Sequence, residues 1–235
     1  MLLTATRETV RWLRAHLLGD PAVPAPEVRV EVGGSGQWRH LPDWPPPDAG
    51  EWRLRLQPGG RLAAGTAPPS EPGRYRYDPG DPTPSIGGPV LLSRRAVVNN
   101  APLDEPVEAI GPVRVCLCVR SSLEYFDVFA RVCDVDGSGV SRNVRDALER
   151  VAPERYGPDS RRTYRVEFPL WPTAHRFSRG HRVRLQVSSG AHLRYARNTG
   201  RGEPLGSATR LLAADQEVFH DPEYRTEIVL SVVET

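Results

Sequence analysis

The stretch Val113-Arg-Val-Cys-Leu-Cys-Val119 decides the fold class of this chain. Its large apolar residues occupy every second position, which is the period of a β-strand with one buried face. Phe126 to Val135 predicts another strand, with Phe126 and Val128 on one parity and Asp127 and Arg131 on the other. The same alternation recurs in five more segments: Val28–Val32, Trp52–Leu56, Thr163–Phe168, Arg182–Val187 and Glu227–Val232.

Turn-forming residues separate these segments, since the chain contains 24 prolines and 21 glycines. Many short strands with such turns between them predict a mainly β protein, a jelly-roll β-sandwich of antiparallel strands. Arginines fall on the polar parity, so we expect them on the solvent face: Arg53, Arg55, Arg182 and Arg184. The irregular stretches from Pro42 to Gly50 and from Pro68 to Pro89 are long for a compact domain and are typical of functional or interface segments.

The first twenty residues have a different period. Val10, Leu13 and Leu17 recur at helical spacing, and Gly19 stands where a helix is expected to end. The proline-rich run from Pro21 to Pro26 is expected to be an extended linker. A single amphipathic helix cannot bury its own apolar stripe, so we expect this stripe to face a partner.

Composition excludes several classes of protein. The 235 residues carry 31 basic side chains, all arginine, and 29 acidic ones, interspersed along the chain, so a nucleic-acid partner is not expected. No apolar run is long enough for a membrane span and no secretory leader is visible, which predicts a cytoplasmic protein. Cys116, Cys118 and Cys133 match neither a zinc spacing nor a disulfide framework and are interpreted as small core residues.

Motifs for catalysis and metal binding are mostly absent from the sequence. No Gly-x-Ser-x-Gly nucleophile motif occurs. The segment most similar to it, Gly33-Gly-Ser-Gly-Gln37, favours a hairpin turn. The run from Asp134 to Gly139 resembles the start of a calcium loop, but Arg145 stands where the bidentate glutamate should be, so a turn is favoured over a calcium site. The six histidines form no metal-binding pair, and we expect no cofactor.

One stretch could serve as a ligand site. His192-Leu-Arg-Tyr-Ala-Arg-Asn198 combines an aromatic ring with arginines, which could stack on and clamp a ligand. Together with Trp38 and Trp44, Tyr195 and Arg197 suggest a carbohydrate- or ligand-binding jelly-roll module. The alternative is that this stretch is simply a loop after a strand.

Five motifs in order resemble the C-terminal domain of X-Pro dipeptidyl-peptidases and of the related cocaine-esterase-like (CocE/NonD) hydrolases. The likeness covers roughly residues 22 to 235, and its motifs begin at Trp44, Tyr77, Phe129, Phe177 and Arg197: Trp-Pro-Pro-Pro-Asp-Ala, Tyr-Asp-Pro-Gly-Asp-Pro-Thr-Pro-Ser-Ile-Gly-Gly, Phe-Ala-Arg-Val-Cys-Asp-Val, Phe-Ser-Arg-Gly-His-Arg-Val-Arg-Leu-Gln-Val-Ser-Ser and Arg-Asn-Thr-Gly. The opening helix resembles the last helix of the preceding α/β-hydrolase domain. Leu193 departs from the pattern, because relatives often carry proline there.

This resemblance implies a galactose-binding-like jelly roll over residues 21–235, and residues 1–20 as the remnant of an α/β-hydrolase domain. The Ser-His-Asp triad of such peptidases and esterases lies in the hydrolase domain, so no residue here inherits a catalytic role, and we expect a truncated or split family member that is inactive alone. Leu91 and Leu92 would line the active-site cleft, or alternatively begin a core strand. The implied partner is an α/β-hydrolase domain, separate or lost, docked through Val10, Leu13 and Leu17; a homo-oligomer is a further alternative.

Overall fold

The computed structural model describes residues 2–19, 28–85, 96–99, 101–204 and 206–234. Within these ranges the chain forms one helix followed by strands, as the alternation predicts. The elements are α1 (Leu2–Leu18), β1 (Val28–Val32), β2 (Gln37–Leu41), β3 (Gly50–Gln57), β4 (Arg61–Ala63), β5 (Gly73–Tyr77), β6 (Ala96–Asn99), β7 (Val107–Ser121), β8 (Phe126–Val135), β9 (Ser141–Val151), β10 (Tyr164–Phe177), β11 (Arg182–Ser188), β12 (Ala214–Phe219) and β13 (Glu227–Val233).

The strands form a small hairpin sheet and one large continuous sheet. β1 and β2 pair with each other, and the large sheet runs β5-β12-β7-β13-β3-β4-β6-β11-β8-β9, with β10 added along β7. The pairings are antiparallel except for one parallel contact between β4 and β6. This arrangement is the mainly β sandwich, preceded by one helix, that the sequence predicts.

The core lies between β7 and β8 and the strands beside them. Val113, Val115 and Leu117 of β7 are at most 1% exposed and belong to the same apolar cluster as Val128 and Val132 of β8. Because burying each such side chain contributes about 1.5–3 kcal/mol, this cluster is the main source of stability. The apolar parity expected for β7 is therefore confirmed, but Cys116 and Cys118 on the other parity are buried as well, so this part of the strand has two buried faces.

Strand β8 differs from the half-buried strand expected at this position. Its bounds, Phe126 to Val135, match the prediction, but both of its faces are buried. The outer face carries Asp127, Phe129 and Arg131, which are covered by side chains from neighbouring strands and from the loop after β11. Alternation identifies the two faces of a strand but does not reveal that a distant loop covers the polar one.

The irregular stretch predicted between Pro68 and Pro89 contains a strand. Gly73-Arg-Tyr-Arg-Tyr77 forms β5, with Tyr75 and Tyr77 buried. On the opposite parity, Arg74 Nε lies 2.9 Å from Glu217 Oε1 of the neighbouring strand β12. Arg76 forms an ion pair with Asp215 of the same strand. The alternation was thus present in the sequence, but a strand of this length among prolines and glycines is easily read as loop.

Helix α1 ends as expected at Gly19, whose φ of +69° is the left-handed conformation that terminates helices. The stripe residues Val10, Leu13 and Leu17 are 50%, 40% and 74% exposed. In the described part of the chain, no strand packs extensively against this helix. No described helix has the length and hydropathy needed to cross a membrane.

Candidate functional site

A groove of about 680 Å³, lined by charged and apolar side chains, lies on the outer face of β8 and β9. Its base is the pair Arg131 and Asp146, which stand directly opposite each other in the antiparallel ladder. Arg131 donates to Asp146 Oδ2 through Nε at 3.1 Å and Nη2 at 3.0 Å. Both side chains are only 6% exposed, so each needs the other to compensate its charge.

Two more arginines border this groove. Arg194 Nη1, from the loop after β11, lies 2.5 Å from Asp146 Oδ1. Arg145 donates to backbone oxygens, from Nε to Pro172 and from Nη1 to Val144. Two guanidinium groups therefore hold the Asp146 carboxylate, a third lines the same groove, and the groove carries an excess of positive charge.

One aromatic side chain, that of Trp171, lines the same groove. Trp171 lies in β10 at the point where its ladder with β7 is interrupted, between Leu170 and Thr173. The interruption takes Trp171 and Pro172 out of the ladder, and Trp171 is 67% exposed. The groove thus combines buried charge with an exposed apolar surface.

The Arg-Asn-Thr-Gly motif is used to anchor a loop on β8. Asn198 Nδ2 donates to Asp127 Oδ1 at 2.7 Å, and Arg150 of β9 holds the same carboxylate through two bonds of 2.9 and 3.0 Å. Tyr77 donates to the backbone oxygen of Asn198 at 3.4 Å, and burial together with Asp127 raises its pKa to about 12. This network fixes the path of the loop that carries Arg194.

A third buried carboxylate lies at the end of β8. Asp134 accepts hydrogen bonds from His175 Nε2 at 3.0 Å and from His181 Nδ1 at 2.8 Å. Burial disfavours its ionised form, but these two hydrogen bonds outweigh burial and hold the pKa of Asp134 below its ordinary value. Among the described residues, no group of three or more histidine, cysteine, aspartate or glutamate side chains could hold a metal ion.

The two motif-like runs form turns. Asp136 accepts hydrogen bonds from Ser138, Val140 and Arg142, which closes the turn between β8 and β9 and occupies the carboxylate that a calcium ion would need. Ser35 lies in the β1–β2 turn, where its Oγ donates to the oxygen of Val32. The turn interpretations are therefore confirmed.

The sequence-predicted ligand residues do not form one cluster. Trp44 is half-buried and precedes a cis Pro45, which lies against Gly111 of β7. Tyr195 packs on Phe129 of β8 with ring centroids 6.0 Å apart, and Arg197 donates to the backbone oxygen of Pro79.

No ring contact or hydrogen bond joins Trp44 to Tyr195 or Arg197 in the described part of the chain. Leu91 and Leu92 lie outside the described residues. The peptide bond between His192 and Leu193 is cis.

Sequence reasoning missed the groove. Alternation places Arg131 on the polar parity of its strand, and its partners Asp146 and Arg194 lie far from it along the chain. No local pattern connects these three residues. The signal in the sequence was Phe129, which lies on the same parity as Arg131. A large aromatic residue is unusual on a strand face that is in solvent.

Four of the histidines have hydrogen-bond partners other than serine. His175 and His181 both bind Asp134, while His16 and His220 bind backbone oxygens, so none of these four pairs with a serine. A family model described as the X-Pro dipeptidyl-peptidase C-terminal non-catalytic domain matches residues 22–229. The chain belongs to this family.

Relatives support this membership. The cocaine esterase of Rhodococcus sp. (strain MB1 Bresler) is 28% identical over 258 residues, covering 93% of this chain and 44% of the esterase. An aminopeptidase from a marine sediment Thaumarchaeota archaeon superposes with a TM-score of 0.82 at 21% identity, over 96% of this chain and 43% of its own. An α-amino acid ester hydrolase superposes with a TM-score of 0.81 at 24% identity, over 95% of this chain and 44% of its own.

The structural matches establish the fold. The chain spans less than half the length of the relatives it matches. The matched domain is non-catalytic, so the catalytic domain of this family is a separate region.

Proposed function

We propose that this chain acts as the accessory domain of a serine hydrolase, docked on an α/β-hydrolase region that performs peptide or ester hydrolysis. The observation that carries the proposal is the exposed stripe Val10, Leu13 and Leu17 of α1. An apolar stripe against which no described strand packs extensively is typical of a surface that another domain covers.

The division of the chain follows from this proposal. Residues 1–20 belong to the hydrolase region in structural terms, and residues 21–235 form the β-sandwich. Leu91 and Leu92 would then line the active-site cleft of the hydrolase region. Family membership supports these assignments, and they stay predictions at the level of individual residues.

Catalysis is assigned to the partner region. Acyl transfer requires an activated nucleophile with a base in hydrogen-bond reach, and the 235 residues contain no Gly-x-Ser-x-Gly motif. The sandwich contributes shape and stability to the assembled enzyme.

Docking is tested with the catalytic region of a cocaine-esterase-type hydrolase supplied as a separate polypeptide. Leu13→Glu and Leu17→Glu place a charge on the stripe, and we expect each to weaken the complex measured by sedimentation. Ala15→Glu adds the same charge about half a turn away, on the opposite side of the helix, and should leave the complex intact. Equal weakening by all three variants would contradict docking through the stripe.

A ligand-binding role is the second candidate. Trp44 and Tyr195 are both only partly buried, which leaves ring surface available for stacking, and Arg197 lies in the same loop as Tyr195. Glycan-array binding that is lost in Trp44→Ala and in Tyr195→Ala would support this role. Self-association of the chain through α1, seen as a dimer in sedimentation, would instead support a homo-oligomer.

A further inference from the structure

The groove on β8 and β9 has the properties of a built binding site. Its base is the buried side chain of Arg131, held in one orientation by two bonds to Asp146 and by the ring of Phe129, whose centroid lies 4.9 Å from the guanidinium carbon. The groove volume of about 680 Å³ falls in the range of small-molecule sites. A fixed charge in a concave site loses little entropy when it binds a ligand.

The arginines of the groove retain donors. In the described part of the chain, Arg131 Nη1, Arg145 Nη2 and Arg194 Nη2 have no recorded hydrogen-bond partner. The excess of guanidinium over carboxylate leaves the groove positive after Asp146 has been compensated. An incoming anion would therefore find both charge and directed N–H groups.

The neutral part of the groove limits the class of anion. Trp171 offers an exposed ring beside the charges, and rings of this kind bind flat apolar groups by stacking. Guanidinium groups recognise planar two-oxygen anions through paired bonds. The combination suits a molecule with a carboxylate at one end and an apolar body at the other.

We propose that the groove formed by Arg131, Arg145, Arg194 and Trp171 binds a small organic carboxylate. The carboxylate accepts hydrogen bonds from the free guanidinium donors, and its apolar body packs on Trp171. This site is separate from the helix stripe, so it does not depend on docking to a hydrolase region.

Calorimetric titration of the full chain tests the proposal, with benzoate as the probe and benzamide as its uncharged counterpart. We expect saturable one-to-one binding of benzoate that weakens with added salt, and at least about tenfold weaker binding of benzamide. Acetate, which lacks the ring, should also bind more weakly than benzoate. Equal heats for benzoate and benzamide, or no saturation by benzoate, would overturn the proposal.

Variants locate the site. Arg194→Gln should weaken benzoate binding by about tenfold, because one charged donor is lost. Trp171→Ala should reduce the advantage of benzoate over acetate. Arg165→Gln, on β10 and paired with Glu167 instead, is the matched control and should bind benzoate normally.

Two further outcomes decide against the site. If Arg194→Gln and Trp171→Ala both bind benzoate as the unmodified chain does, the proposal fails. If Arg194→Gln leaves benzoate binding unchanged but weakens the complex with a hydrolase region, the groove receives a carboxylate of a protein partner instead. Because Trp171 is exposed, its variant keeps the test valid even if Arg194→Gln folds poorly.

Discussion

Arg131 and Asp146 are direct neighbours across β8 and β9, and their side chains form a two-bond ion pair on a strand face that is buried rather than solvent-exposed. The pair connects the fold to the candidate site, because it holds two strands together and also forms the base of the groove. Among the described residues, Asp146 is paired with Arg131 and Arg194, and Arg131 is paired with Asp146.

Breaking this pair should be costly. Asp146→Asn leaves buried guanidinium charge uncompensated, and we expect the free energy of unfolding to fall by about 3–5 kcal/mol in urea denaturation. Replacing both partners, Arg131→Met with Asp146→Leu, should recover much of that loss. Asp215→Asn removes a pair with Arg76 that is mostly exposed, so its cost should lie within about 1 kcal/mol. Similar losses for the two aspartate variants would contradict the account.

Asn198 should be important for stability rather than for ligand binding alone. Asn198→Ala removes a donor from Asp127, which is 1% exposed, and we expect a loss of about 1–3 kcal/mol. Asn143→Ala, at an exposed asparagine of β9, should cost much less. If both alanine variants unfold at the same urea concentration, the anchoring role of Asn198 is wrong.

Asp134 makes the free energy of unfolding depend on pH in the acid range. Its folded-state pKa is lowered, since the hydrogen bonds from His175 and His181 outweigh burial. The unfolded chain therefore binds more protons in the acid range, and the stabilisation is present above the unfolded pKa of about 4 and lost as pH falls through the folded value. In Asp134→Asn, unfolding free energy measured from pH 7 downward should decline less steeply. Asp104→Asn, at an exposed carboxylate, is the charge-matched control and should decline as the unmodified chain does.

Gly200 is required by both its conformation and its surroundings. Its φ is +85°, and a Cβ there would come within 2.6 Å of Leu123 Cδ1. Gly139 has a φ of +87° with no atom near the same position. We expect Gly139→Ala to cost about 1 kcal/mol from backbone strain, and Gly200→Ala to cost more than that because Leu123 and Leu212 must shift to make room. Equal melting temperatures for the two variants would show that the close approach to Leu123 does not matter.

Strands with strong alternation were predictable from the sequence. The bounds of β8 and the parity of β7 follow from local pattern alone, and Gly19 ends α1 where helix-termination rules place it. The polar networks were not predictable in this way. Arg131, Asp146 and Arg194 meet only because β8 pairs with β9 and a loop fixed by Asn198 returns over them, and no spacing rule encodes that arrangement.

Activity of the isolated chain tests the central claim, that it is a non-catalytic accessory domain, most directly. The purified chain is incubated with X-Pro anilides and short aryl esters and with a fluorophosphonate that labels activated serines, with an active cocaine-esterase-type enzyme as the positive control. We predict no turnover above the uncatalysed rate and no covalent labelling. Turnover that the fluorophosphonate abolishes, with one serine of this chain labelled, would contradict the account.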